Sequence, residues 1–402
     1  MRTRMPIRDK NEKLKEQIRR EIDILQDEMV RMARAIFLRP EIGYREYESS
    51  KLLSDYLEGY GFDVTHNIAG METAFIAAYP KDSEGPTIAL LAEYDALPGL
   101  GHACGHHLIG TASAGAAVGL SRVIADLKGK IVVVGCPAEE AGIDNAGGKV
   151  RLVEKGYFDQ IDAAILFHPM PLTTVGGMTS SLIGLELTFR GKAAHAAGNP
   201  WDGINALDGV LQTYNAINAL RQHLKEDVRI HGIVTHGGDA PNIVPEYAVA
   251  RFFVRSEDNN RLRETVVKVE NCARGAALAT GTELNIHRFN HLYEAMNSNS
   301  VLVEVLKENL ERMGLKVEGE KKGKGSTDFG NVSGVLPACE LAIRLGNGIV
   351  PHTKEFLNAS NGEEGYSVMM VGAKVMAMSA LDLLQSPDLL ERTKEEFRKV
   401  SR

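Results

Sequence analysis

Cysteine is scarce and scattered in this 402-residue chain: Cys104, Cys136, Cys272 and Cys339 stand far apart and form no CxxC pair. That spacing argues against a zinc ribbon and against a disulfide-stapled secreted scaffold, leaving a reducing, cytoplasmic setting as the expectation. No apolar run reads as long enough to span a bilayer, so no membrane partner is expected. The opening residues Met1 to Lys10 are polar and lack the apolar stretch of a signal peptide. A cationic excess is also missing. Lys and Arg together number 46 against 53 Asp and Glu, a formal net charge of −7, and no basic stripe stands out. The electrostatic basis for nucleic-acid binding is therefore absent. The sequence shows no internal repeat and no low-complexity stretch.

What remains is an ordinary globular composition, 44% hydrophobic and 25% charged. The length calls for two domains. Residues 11–38 read as one amphipathic helix with Ile18, Ile22, Leu25, Met29, Met32 and Ile36 on its apolar stripe, stopped by Pro40. A second helix over 46–60 ends at Gly61. Strands at 73–79, 87–92, 130–136 and 163–167 then alternate with helices at 109–125 and 147–155. Several of these strands are continuously apolar, as strands covered on both faces are. The order predicts an α/β fold with a mixed, mostly parallel sheet, in which functional residues gather past the C-terminal strand ends. From 182 the pattern changes to strand 182–189, helix 203–223, strands 229–235 and 247–254, helix 260–279 and strand 284–289. This β-α-β-β-α-β order predicts a ferredoxin-like module. It is inserted, because helix 301–313, strand 338–343 and helix 362–384 resume the first pattern. The predicted domains are a discontinuous metal-binding catalytic domain, 11–182 with 294–402, and an insert, 183–293.

Four segments carry metal-site chemistry. The stretch His102-Ala103-Cys104-Gly105-His106-His107 packs three histidines and a cysteine into six residues after a buried strand. Thiolate and imidazole are preferred ligands of zinc-like ions, and Cys104 and His106 can converge across a glycine. One such residue alone would be a buried thiol or a satisfied histidine; the clustering favours a site. Glu139-Glu140 follows the Val-rich strand, where adjacent carboxylates repel unless a cation lies between them. One can bind metal while its neighbour takes a proton. His168 at the end of strand 163–167 and His352 in a Gly-rich loop are each commonplace alone, but all four signals sit at strand ends.

These residues, together with Pro40-Glu41-Ile42-Gly43, Asp95-Ala96-Leu97-Pro98, Gly191-Lys192-Ala193-Ala194-His195-Ala196, Pro241-Asn242-Ile243-Val244-Pro245 and Ser326-Thr327-Asp328-Phe329-Gly330, resemble a known family in its own order from about residue 40 to 360. It is the co-catalytic metallopeptidase and amidohydrolase family of aminoacylase and glutamate carboxypeptidase. Within it the chain is most similar to the branch holding p-aminobenzoyl-glutamate hydrolases, auxin-conjugate amidohydrolases and a basic-dipeptide dipeptidase. The resemblance implies that Cys104, His106, Glu140, His168 and His352 hold two divalent ions per chain. Zinc is the first expectation; manganese, cobalt and nickel are also compatible. It implies that Glu139 is the general base, and that the insert is a lid and homodimerisation module. His195 would polarise the scissile carbonyl, often in the partner subunit's site, with Asn242 and Arg255 meeting the substrate. Asn242 has the alternative of shaping a turn, and Arg255 of pairing with an acid. His107 departs from the Asp or Asn usual there and could be a spare group beside the ligands or could retune the site. Glu93-Tyr94-Asp95 replaces the wider family's His-x-Asp, leaving Asp95 to orient a ligand.

The implied activity is hydrolysis of the amide bond of a small N-acyl amino acid or dipeptide by a metal-bridging hydroxide. Two other readings stay open: a hydrolytic deaminase on the same ions, and a non-catalytic metal-binding protein on a hydrolase scaffold.

Overall fold

The computed structural model describes residues 7–124, 127–319 and 325–400, with side chains from residue 11 to 399 in those ranges. In chain order the strands are β1 (Asp63–His66), β2 (Phe75–Tyr79), β3 (Thr87–Glu93), β4 (Lys130–Cys136), β5 (Ala163–Met170), β6 (Thr174–Val175), β7 (Ser181–Arg190), β8 (Arg229–His236), β9 (Tyr247–Ser256), β10 (Glu283–Arg288) and β11 (Ala338–Arg344). The helices are α1 (Ile7–Ile24), α2 (Gln26–Leu38), α3 (Tyr47–Gly59), α4 (His106–Ser121), α5 (Gly148–Glu154), α6 (Ala206–Arg221), α7 (Asn259–Thr280), α8 (Ser300–Arg312), α9 (Phe329–Val335), α10 (Lys354–Ser360), α11 (Glu363–Gln385) and α12 (Pro387–Val400).

Seven strands form one sheet in the order β1-β2-β4-β3-β5-β11-β6. Its centre, β4-β3-β5-β11, is parallel, and β1, β2 and β6 add antiparallel edges. Every residue of β3 is buried, which explains its uninterrupted apolar run. Helix α4 is buried along its whole length, and its small residues are what allow it. A Cβ on Gly115 would come within 2.4 Å of Met29, and one on Gly119 within 2.4 Å of Ile22. A Cβ at either position would force the Met29 or Ile22 side chain to shift.

Several expectations are corrected here. The single helix predicted over 11–38 is two, broken at Leu25, whose amide reaches back to Ile22 O at 3.1 Å. The break lets α1 lie on α11 and α4 while α2 packs on α4 and α3. Helix α4 begins at His106 rather than 109; its predicted end at Ala125 falls outside the described residues. His168 lies within β5, opposite Ala342, rather than after the strand. The reading that no apolar run could span a bilayer fails for α11, which has the length and a mean hydropathy of 1.5 in its best window. That window is 78% buried inside the protein, so α11 is apolar all round because it is a core helix. The helix read at 362–384 is followed by a further helix, α12, which Pro387 opens at its first position.

Residues 181–288 build a second, antiparallel sheet, β10-β7-β9-β8, in the β-α-β-β-α-β order, with α6 and α7 packed on it. It has its own core, including Leu185, Leu187, Phe252, Val254 and Val269. Strand β8 is an open edge with Ile233 and Val234 exposed. The two chain crossings between the sheets pair with each other at Leu182 and Tyr293.

Candidate metal centre and active site

The site forms where β3, β4, β5 and β11 end. After β3, Gly105 adopts φ +86 and caps α4, and a Cβ there would lie 2.5 Å from Pro169. Only glycine suits that backbone and that approach. The tight turn brings Cys104 Sγ to 3.6 Å from His168 Nε2. His168 Nδ1 donates to Pro169 O at 2.8 Å, which leaves Nε2 facing the thiol. His106 sits in the first turn of α4, fully buried, with Nδ1 held by Asp95 Oδ1 at 2.9 Å. Among the described residues its Nε2 has no hydrogen-bond partner, and it looks at Glu93 (3.7 Å), Glu139 (3.8 Å) and Glu140 (4.0 Å). Half-exposed His352 points Nε2 at Glu140 Oε1, 3.7 Å away, and its amide is tied to Ala103 O at 2.9 Å.

Donor atoms of Cys104, His106 and His168 lie within 4.8 Å of one another, as do those of Cys104, Glu140 and His352. All five residues singled out as ligands therefore meet in one place. A buried imidazole nitrogen and Glu140 Oε1 left without partners, beside a thiol and a further carboxylate, fit a cation-binding site. The acid groups respond accordingly. Burial, then Glu93 and Glu140, pushes Glu139 well above the ordinary carboxylate range. Burial pushes Glu140 up to about 7, and burial raises the Cys104 thiol. A divalent ion would reverse each of these.

The Glu139-Glu140 loop is clamped at three successive residues. Glu46 Oε1 accepts the Ala138 amide at 2.9 Å, the Tyr293 hydroxyl donates to Glu139 O at 2.7 Å, and Asp95 Oδ2 accepts the Glu140 amide at 3.0 Å. Ala138 needs its clamp, because its φ of +56 lies in the left-handed region. Asp95 thus orients both His106 and Glu140, the positioning role the resemblance implied. Glu46 is fully buried, and burial followed by the charge of Asp95 raises it to about 8 from 4.5. Between those two values the folded metal-free chain holds a proton that the unfolded chain releases, so this group's contribution to stability falls as pH rises. Glu46→Gln should remove that slope. In urea melts of the metal-free protein the variant should match the parent near pH 5 and exceed it near pH 8, by up to a few kcal/mol at about 1.4 kcal/mol per pKa unit. An unchanged pH slope would show Glu46 ionised in the fold.

Lys149 escaped the sequence reading, and His107 sits elsewhere than its place in the motif suggests. Lys149 is fully buried and ion-paired with Glu93 (2.7 Å) and with Asp328. Only Glu93 and Asp328 stand out in the sequence; a lysine in a short charged helix reads as solvated. His107 lies outside the ligand cluster. It is buried away from it, with Nε2 3.2 Å from Ser360 O and its ring against Phe37 and His102. Burial, then His102, keeps it neutral. His102 is also buried, and burial, then His106, lowers it to about 4.

The insert contributes more loosely. His195 is exposed, and its Nδ1 accepts the amides of Ala197 (3.2 Å) and Gly198 (3.0 Å). That leaves Nε2 as the donor nitrogen of this exposed ring. None of these bonds reaches the five-residue cluster. Asn242 is exposed, and its carbonyl accepts the Ala196 amide at 3.0 Å, so its backbone supports the His195 segment. Among the described residues Arg255 pairs with no acid. Its guanidinium meets His231 (3.2 Å) and Ser326 Oγ (2.8 Å), and its charge, after burial and His106, lowers His352.

A family model, peptidase family M20/M25/M40, matches residues 89–375, a span that holds all five clustered residues. The chain belongs to this family. It is 35% identical to the mouse Xaa-Arg dipeptidase, covering 96% of this chain and 93% of that protein. It is 28% identical to a p-aminobenzoyl-glutamate hydrolase chain of Escherichia coli, covering 92% of each. Among solved structures, an aminobenzoyl-glutamate utilization protein from Klebsiella pneumoniae superposes with a TM-score of 0.72 at 21% identity, over 91% of this chain and 98% of that one. A dinuclear metal binding peptidase of the same family from Bacillus subtilis gives 0.67 at 20% identity, over 90% and 99%. The chain is thus a family M20 hydrolase of amide bonds, with the fold of these enzymes.

Proposed function

We propose that this hydrolase cleaves small dipeptides and N-acyl amino acids with two divalent ions held by Cys104, His106, Glu140, His168 and His352, dipeptides ending in arginine being the first candidates. The observation that carries it is the convergence of those five donors around an unpartnered, buried His106 Nε2, with Glu139 beside them. The likeness to Xaa-Arg dipeptidase over nearly the whole of both chains supports the substrate class. A thiolate, three imidazoles and one carboxylate suit zinc first, then manganese, cobalt or nickel. When bound, such ions polarise the amide carbonyl and make water more acidic. Glu139 takes the proton of the attacking water and returns it to the leaving amine nitrogen. Its backbone, clamped by Tyr293, keeps the carboxylate aimed while its neighbour Glu140 ligates.

His195 Nε2–H donates to the oxyanion, and the partner chain's copy fits this role best, since His195 lies outside its own chain's cluster. The exposed edge β8 offers a surface for a homodimer through the insert, residues 183–293. Mixing His195→Ala and Glu139→Gln proteins should then restore activity to hybrids; exchange of subunits without restoration would confine His195 to its own chain. A cytoplasmic location suits Cys104, which must stay reduced to bind metal, and cell fractionation checks it. The functional reading itself is tested by chromatography of dipeptide and N-acyl amino acid panels after incubation with metal-loaded protein. Free amino acids from Xaa-Arg substrates are expected, and release of ammonia alone would point to deamination.

A further inference from the structure

We propose that Lys149 is a tethered cation that keeps a divalent ion out of the Glu93–Glu139–Asp328 carboxylate cluster and so keeps Glu139 free to act as the base. The proposal rests on the reading of Glu139 given above. Oxygens of these three buried carboxylates lie within 4.8 Å of one another. Three convergent oxygens shielded from water are a donor set that hard divalent cations take up. An ion there would claim Glu139 as a ligand, and a ligating carboxylate is a poor proton acceptor.

Lys149 holds that position instead. Its ammonium is 2.7 Å from Glu93 Oε1 and paired with Asp328 Oδ1, and its own amide donates to Asp328 Oδ2 at 2.9 Å. One residue therefore grips both oxygens of Asp328. An ammonium donates hydrogen bonds and neutralises charge, but it cannot coordinate water or a carbonyl. The lysine cannot drift from this post, because α5 is wedged under the Glu139 loop: a Cβ on Gly148 would lie 2.0 Å from Pro137 O. With Oε1 of Glu93 held, its other oxygen stays 3.7 Å from His106 Nε2. Lys149 is thus a positioning residue, acting through Glu93 and Asp328 on the space around Glu139.

The test counts ions. Full-length protein is stripped with a chelator, reloaded with manganese or zinc, desalted and analysed for metal per chain. The parent should hold two ions, Lys149→Met three, and Lys149→Met/Asp328→Asn two again, because the third ion needs the Asp328 carboxylate. A folded Lys149→Met that holds no more metal than the parent overturns the proposal, as does a double variant that still gains an ion. If Lys149→Met is unfolded when metal-free, excess divalent ion must restore its circular dichroism, since the ion replaces the lost ammonium; failure to restore it also overturns the proposal. Failure of the hydrolase reading would show separately, as a parent protein without two ions or without turnover.

Discussion

Glu139→Gln should retain both ions and lose about 10²–10⁴-fold in kcat/KM, the range a positioned acid–base group contributes. The substitution keeps the shape of a side chain that is only 9% exposed, and the backbone stays fastened through the Tyr293 hydroxyl. Glutamine can accept a hydrogen bond from water but cannot remove its proton, so binding survives and chemistry fails. A drop in kcat with KM nearly unchanged is the expected signature. If the variant turns over at the parent rate with both ions in place, the base is another group.

Cys104→Ala should be more damaging to the metal than any other single ligand change. Its sulfur belongs both to the group with His106 and His168 and to the group with Glu140 and His352. Removing it withdraws a donor from each. Loss of an outer orienting group typically costs 10–100-fold in metal affinity, so loss of this shared donor should cost more than about 100-fold and abolish turnover at micromolar metal. Elemental analysis after desalting checks it. Full occupancy in the variant would remove Cys104 from the ligand set.

Much of this was legible in the sequence, for reasons that differ between elements. The buried parallel strands announce themselves as apolar runs, and β3 and β4 are covered on both faces as those runs require. The β-α-β-β-α-β order stands out from its strand and helix signals, and burial alternates along β9 from Arg251 to Ser256, whereas β7 is buried at every residue but Glu186 and Arg190. The outermost strands β1 and β6 were not legible: β1 has four residues, β6 two, and neither carries a periodicity. Cys104 and His106 could be read because ligand types crowd there. Lys149 could not, since its burial depends on Glu93 and Asp328 arriving from segments far away in the chain. Glu46 escaped for the same reason, being one acid among several in a polar stretch until Ala138 and Thr73 close over it. His107 drew attention because of its neighbours, whereas helical geometry turns consecutive residues His106 and His107 to different sides, one toward Asp95 and the other toward Ser360.

The most direct measurement is a metal titration of turnover. Chelator-stripped protein is titrated with zinc or manganese while release of arginine from an Xaa-Arg dipeptide is followed. No release is expected without metal, and release should rise to saturation at two ions per chain. Release by the metal-free protein, or saturation with no release across the dipeptide and N-acyl amino acid panel, would contradict it.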